Sequence, residues 1–292
     1  MDVTINEVFK NRAEKYKQRL AVEKKLNGKW EKVTWTQYYE NARSIGLGLH
    51  SLGIKKGDMV SILSENRLEW LYTDMGALGL GTVVVPIYTT LIAEEVKYII
   101  ENSESKVLFV ENEMQLEKAL SFIDEVESLE KIIVFNKQDA KSSHPAVISF
   151  DELIALGQEN VEKPALFETL AAAVVPEDLA TIVYTSGTTG VPKGAMVTHK
   201  NIMAVIYSLE SISPKFAYET DQTVPLLPLS HVFERVAGHF YGMYVGLTSS
   251  YAESIDTFVV DVKEKCPTVV LAVPRVCEKV YQRILGQVEE QD

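Results

Sequence analysis

Cysteine is nearly missing from this 292-residue chain, which carries only Cys266 and Cys277. Two thiols at that spacing make neither a disulfide framework nor a metal-ligand pair. Both are read as small core residues in a reducing compartment. Net basic charge is missing too. Lys and Arg number 29 against 41 Asp and Glu, for a formal charge of −12. A nucleic-acid binder wants a basic stripe for phosphates, so no nucleic-acid partner is expected. The stretch from Lys10 to Lys32 is locally basic, but Glu7, Glu14, Glu23 and Glu31 interleave with it. A solvated surface is the expectation there. No apolar run is long enough for a bilayer. The longest, Met75 to Tyr88, is broken by Gly76, Gly79, Gly81 and Pro86. The start, Met1-Asp2-Val3-Thr4-Ile5-Asn6-Glu7, has no basic lead before an apolar stretch, so no signal peptide is expected. The expected location is cytoplasmic, with peripheral membrane contact as a further option that no residue pattern supports. There is no repeat of fixed period and no low-complexity tract.

What is present is ordinary globular material, with 46% hydrophobic and 24% charged residues. Short β-branched runs alternate with helical stretches. Val60–Leu63, Thr82–Ile87, Val107–Val110 and Lys131–Phe135 read as strands. Leu68–Leu80, Ala93–Asn102 and Met114–Val126 read as the helices between them. Further on, Thr223–Leu227, Thr248–Tyr251 and Thr268–Ala272 read as strands, and Val232–Tyr244, Ile255–Cys266 and Arg275–Gln287 as helices. Near the start, Lys29–Trp35 alternates like a half-exposed strand, and Thr36 is the expected cap of the helix that follows, through Leu49. The cluster Gly76, Gly79 and Gly81 lies among apolar neighbours, which favours close helix packing over ligand binding. Strands that are nearly all apolar, joined through helices, predict an α/β fold with a largely parallel sheet covered on both faces.

One segment carries chemistry. The strand Thr181-Ile182-Val183-Tyr184 runs into Thr185-Ser186-Gly187-Thr188-Thr189-Gly190-Val191-Pro192-Lys193-Gly194. Glycines let backbone approach a ligand closely. Four hydroxyls and the amides between them supply donors for anionic oxygens. Lys193 adds a full charge just after Pro192, which restricts the backbone. Together these describe a polyphosphate cradle. It is not a Walker A loop, which needs Gly-Lys-Ser/Thr after its gap, nor a Gly-x-Gly-x-x-Gly dinucleotide fingerprint.

The stretch Tyr184 to Gly194 resembles the signature of the adenylate-forming superfamily, which holds acyl-CoA synthetases, peptide-synthetase adenylation domains and luciferases. Asn66-Arg67-Leu68-Glu69-Trp70 with Val85–Thr90, Leu227–Arg235 and Val273–Tyr281 resemble its long-chain acyl-CoA synthetase branch. The resemblance covers essentially the whole chain. It implies ATP-dependent conversion of a fatty acid to an acyl-adenylate and then to its coenzyme A thioester. It implies that Ser186, Gly187, Thr188, Thr189, Gly190 and Lys193 hold the β- and γ-phosphates. Thr185 would help hold Mg²⁺, and His231 would orient the acyl carboxylate. Read from the residues alone, a lone histidine between a strand and a helix, as His231 is, is more often a structural residue. Glu234 and Arg235 read either as an ion pair at a helix start or as a channel border.

The resemblance also implies two interleaved α/β subdomains, at about 61–214 and at about 10–60 plus 215–292. Family members are longer. Their downstream acidic metal ligand, adenine-contacting segments, barrel-like subdomain and carboxy-terminal domain with its catalytic lysine match nothing here. The expectation is a portion of a longer enzyme, inactive alone. Its exposed apolar surface would invite self-association, such as a homodimer. Two other readings stay open. One is a different acid–CoA or acyl-AMP ligase. The other is a naturally shortened, non-catalytic nucleotide-binding or interaction protein.

Overall fold

The computed structural model describes residues 2–159, 164–185, 191–254, 256–274, 278 and 281–282. Its strands are β1 (Leu20–Leu26), β2 (Lys29–Thr34), β3 (Met59–Leu63), β4 (Val83–Ile87), β5 (Ser105–Val110), β6 (Lys131–Val134), β7 (Val147–Ser149), β8 (Leu179–Thr185), β9 (Lys193–Thr198), β10 (Gln222–Thr223) and β11 (Thr248–Tyr251). Its α-helices are α1 (Ile5–Tyr16), α2 (Trp35–Ser51), α3 (Leu68–Gly79), α4 (Ala93–Ser103), α5 (Glu113–Leu120), α6 (Phe150–Gln158), α7 (Pro164–Ala172), α8 (His199–Glu210), α9 (Tyr241–Val245) and α10 (Phe258–Lys265).

β3 to β9 form one seven-stranded sheet in the order β7-β6-β5-β3-β4-β8-β9. It is parallel except where β9 returns antiparallel to β8. The four-stranded sheet β10-β11-β1-β2 joins strands from the two ends of the chain. Alternate residues of the large sheet feed two cores. Ile62, Val107, Phe109 and Ile133 face α2 and α3. Leu63, Leu108, Val110 and Ile132 face α4 and α5. Both faces are covered, which is why these strands read as unbroken apolar runs.

The glycine cluster does pack helices. A Cβ on Gly76 would lie 2.5 Å from the Ala42 carbonyl of α2, and one on Gly79 would lie 2.2 Å from the Phe167 ring. Gly81 instead occupies a left-handed turn at φ +72°.

Several expectations need correction. Thr34, not Thr36, caps α2. Its hydroxyl accepts from the Gln37 N–H, and Gln37 accepts from the Thr34 N–H, a reciprocal capping box. The helix begun near Met114 ends at Leu120, with a short 3₁₀ turn at Ile123–Glu125. The basic stretch after Lys10 is not simply solvated. Glu23, Lys24 and Lys25 of β1 are buried, because this strand lies inside the small sheet with Lys265, Asp261 and Ser250 as polar partners. Cys266 is exposed, at a left-handed helix end. Cys277 and most of the helix expected over Arg275–Gln287 lie outside the described residues. The strands expected at Thr223–Leu227 and Thr268–Ala272 shrink to Gln222–Thr223 and a single bridge from Thr223 to Val269. Pro225 removes a ladder donor from the first of these.

Candidate active site

In an open α/β sheet, ligands bind outside the carboxyl ends of the strands, where the strand order reverses. In the seven-stranded sheet β3 is the earliest strand, with β4 on one side and β5 on the other. The segment Ser64–Arg67 leaves β3 at that switch point. A cleft of about 640 Å³ opens there, lined by Asn66, Arg67 and Glu111 from the large sheet and by Lys24, Tyr251 and Glu253 from the small one. Arg67 is fully engaged, with Glu69 and Asn136 as partners and the Phe135 ring under its guanidinium. Lys24 Nζ donates to the carbonyls of Ala252 and Glu253, at 2.5 and 3.3 Å. Burial, with Arg67 nearby, holds this amine below its ordinary pKa.

Two strands away, about 10 Å at ordinary strand spacing, β8 ends on the same edge at Thr185. Thr185 pairs in register with Lys193, the first residue of β9. The two residues therefore stand side by side at the mouth of the loop that joins the strands. Ser186, Gly187, Thr188, Thr189 and Gly190 lie outside the described residues. The base of the hairpin is anchored to α4. Tyr98 Oη donates to the Pro192 carbonyl at 3.1 Å, Tyr184 Oη donates to Asn102 at 2.7 Å, and the two rings meet edge to face. A Cβ on Gly194 would sit 2.6 Å from Ile182, so only glycine lets β9 lie this close to β8.

His231 follows the irregular segment 224–230. Its N–H donates to the Pro228 carbonyl at 2.9 Å, and its Nδ1 accepts from the Phe233 N–H at 3.2 Å. An accepting Nδ1 puts the ring proton of the neutral imidazole on Nε2. The half-exposed ring thus offers an N–H donor.

The helix after His231 opens into a π-turn at Glu234–Phe240, a feature that recurs at functional sites. Glu234 and Arg235 are not an ion pair. Arg235 Nε donates to Asp74 of α3 at 3.0 Å, Nη2 binds the other Asp74 oxygen, and Nη1 donates to Thr181 of β8 at 2.6 Å. This ties the His231 helix to the strand that carries the loop. Burial pushes the Asp74 carboxyl up, and Arg235 opposes the shift. Glu234 is also buried, and its carboxyl is pushed up to about 8 by desolvation, against the nearby Leu227 N–H, which lowers it. Sequence reasoning missed Asp74. The signal was there: a lone carboxylate within the apolar stretch Trp70–Gly79 must find a cation.

The carboxyl edge of this doubly wound α/β sheet, where such folds bind their ligands, thus carries Thr185 and Lys193 at the mouth of the β8–β9 loop. Residues 9–291 match the AMP-binding enzyme family, and the chain belongs to it. It is 31% identical over 287 residues to long-chain-fatty-acid–CoA ligase ACSBG2 of Xenopus laevis, covering 97% of this chain and 38% of that protein. It is 34% identical over 272 residues to fatty acyl-CoA synthetase B of Dictyostelium discoideum, covering 90% of this chain and 39% of that one. The chain thus spans about two-fifths of the length of these relatives. The fold is shared with anthranilate CoA ligase AuaEII in complex with anthranoyl-AMP, at TM-score 0.79 and 23% identity over 92% of this chain and 51% of the other. It is also shared with a mutant form of coronafacic acid ligase from Pectobacterium brasiliense, at TM-score 0.80 and 21% identity over 96% and 52%.

Proposed function

We propose that this chain supplies the phosphate-holding part of an ATP-dependent ligase that joins a long-chain fatty acid to coenzyme A. The observation that carries the reading is the pairing of Thr185 with Lys193 at the mouth of the β8–β9 loop, on the same sheet edge as the cleft. Family membership and relatives that bear fatty acyl-CoA ligase names support it.

In this reading a carboxylate oxygen attacks the α-phosphorus of ATP. The bond to the β-phosphate oxygen breaks, and pyrophosphate departs with that electron pair. Lys193 and the loop neutralise charge on the leaving group, which is positioning and electrostatics rather than covalent chemistry. His231 donates its Nε2–H to an oxygen of the carboxylate or α-phosphate and orients it. In the second half, the thiolate of coenzyme A attacks the acyl carbon and AMP leaves. Mg²⁺ would neutralise phosphate charge when bound. The Thr185 hydroxyl fits as one hard oxygen ligand.

In this reading the chain divides into two subdomains, one at about 61–214 that carries the loop and one at about 10–60 plus 215–292. Exchange of labelled pyrophosphate into ATP, run across an acid panel with the protein of the intact coding frame, tests the reaction. Exchange stimulated by long-chain acids supports it. Exchange stimulated only by short or aromatic acids moves the reading to another acid–CoA ligase, and no exchange with any acid removes it. The 292 residues by themselves form no acyl-CoA in this reading, and robust thioester formation by them would refute that part.

A further inference from the structure

We infer that Asn66 and Glu234 are positioning residues for His231, holding from two sides the Leu227–Leu229 segment out of which it emerges. The inference about geometry stands on the bonds below. Its catalytic consequence rests on the proposed function.

Among the described residues the segment after β10 has no strand partner beyond Thr223. Its backbone groups must still be paired where they are buried. Asn66 Nδ2 donates to the Leu227 carbonyl at 2.9 Å, and the Leu229 N–H donates to Asn66 Oδ1 at 2.7 Å. One side-chain amide thus stands in for a neighbouring strand, reaching from the switch point at the end of β3. Glu234, from the π-turn on the other side, lies close enough to the Leu227 N–H for that dipole to lower its pKa. Glycine at 238 leaves room for the Glu234 carboxyl in this position: a Cβ there would lie 2.1 Å from its Oε1. Its Oε2 is buried without a partner among the described residues. The Pro228 carbonyl then receives the His231 N–H, and His231 Nδ1 receives the Phe233 N–H. An unbroken series of bonds runs from the tip of β3 to the imidazole. Without Asn66, Leu227 and Leu229 lose their partners and the turn is released. A displacement near 1 Å at a group that must orient reacting atoms costs about 10²-fold in rate.

The test reads the imidazole itself. In the 292-residue chain with labelled histidine, NMR follows the His231 ring nitrogens and hydrogen exchange at the Phe233 amide. In Asn66→Ala, the Phe233 amide is expected to exchange about 10-fold faster, the size of one lost hydrogen bond, and the His231 ring signals to shift. Amides of α4, such as Ile100, stay unchanged and show that the fold is intact. Asn66→Asp keeps an acceptor for the Leu229 N–H but loses the donor, and is expected to show a smaller shift in the same direction. Glu234→Gln retains an acceptor and behaves as wild type, whereas Glu234→Leu follows Asn66→Ala. Unchanged His231 and Phe233 signals in Asn66→Ala and Asn66→Asp overturn the inference whatever the enzyme does. Pyrophosphate exchange by the intact coding frame is the separate readout of function: kcat falls about 10- to 100-fold with KM for ATP nearly constant. A shifted imidazole with unaltered kcat removes the catalytic role of His231 and leaves the positioning intact.

Discussion

Arg235 and Asp74 meet as an ion pair sealed from water, with side chains 2% and 0% exposed. The rings of Trp70 and Phe240 lie within 5.6 and 5.3 Å of the guanidinium carbon. Its third contact, Thr181, passes its own proton to the Val84 carbonyl of β4 at 2.6 Å. A helix after the small sheet's β10, a helix of the large sheet and two of its strands therefore share one polar knot. Removing one partner leaves a buried charge unpaired. Asp74→Ala is expected to cost about 3–5 kcal/mol in urea unfolding. The paired replacement Asp74→Leu with Arg235→Met should recover most of that loss. Equal losses in the single and double variants would show that packing, rather than charge, dominates the site.

Two buried histidines set the acid limb of stability. His199 is held down at about 4 and His239 at about 3, in both cases mainly by burial. His199 Nδ1 accepts from the Ile5 N–H at 3.3 Å, and His239 Nε2 lies 3.1 Å from the Tyr38 hydroxyl. The unfolded chain protonates both near the ordinary 6.5, so between about 4 and 6.5 it binds more protons than the folded chain. Stability therefore falls as pH drops through that window, by at most about 1.4 kcal/mol per pH unit for each ring. Urea midpoints at pH 7 and 5 check this. His199→Gln should flatten the slope, and protonation of His199 should first release the Ile5 amide in hydrogen exchange.

Glu234 acts in the opposite direction. Its carboxyl, at about 8 in the folded chain, has an ordinary value of 4.5. Between these values the folded chain keeps a proton that the unfolded chain has lost. Stability therefore falls as pH rises from 6.5 to 8, where the histidines no longer contribute. Glu234→Gln is expected to abolish that fall, as read from urea midpoints at pH 6.5 and 8. An unchanged slope would mean that Glu234 is ionised in the folded chain.

The large sheet was legible because its strands are apolar on both faces, so Val60–Leu63 or Val107–Val110 needs no tertiary information to be read. The small sheet was not. β1 carries Glu23, Lys24 and Lys25, whose burial depends on partners more than 200 residues away, such as Asp261 and Lys265. Local pattern cannot supply that. Val224–Leu227 misled for the converse reason: its β-propensity is real, but Pro225 interrupts it and the Leu227 carbonyl accepts from the side chain of Asn66. Lys193, Thr185 and His231 were visible as residue types. Their arrangement was not, because the register that pairs Thr185 with Lys193 and the bond that sets the His231 tautomer exist only in the folded chain.

Close packing of α2 on α3 gives a prediction free of charge effects. A Cβ on Gly76 would stand 2.5 Å from the Ala42 carbonyl and 3.0 Å from the Gly46 nitrogen, both backbone atoms that cannot swing aside. Gly76→Ala must push the helices apart, and an overpacked core of this kind costs about 1–3 kcal/mol. Ala ordinarily favours a helix interior by about 1 kcal/mol over Gly, so a loss of stability in the urea midpoint identifies the helix contact as the cause. A gain would mean that the interface yields.

Lys193 separates the charge of the loop from its geometry. It is exposed at the first position of β9, and no described carboxylate pairs with it, so its charge remains available for phosphate. Because its backbone pairs with Thr185 irrespective of side chain, Lys193→Ala should leave the hairpin and its Tyr98 and Tyr184 anchors in place. Loss of one preorganised charged donor on a leaving pyrophosphate is worth about 10²–10³ in rate. Pyrophosphate exchange by the intact coding frame should fall by that factor in Lys193→Ala. Lys193→Arg keeps the charge but replaces a compact ammonium with a planar fork, and should recover only part of the rate. Thr185→Val removes the hydroxyl at nearly constant shape, so its effect should shrink as Mg²⁺ is raised if that hydroxyl serves the metal. Full activity in Lys193→Ala, with the hairpin intact by NMR, would remove the phosphate role from this loop.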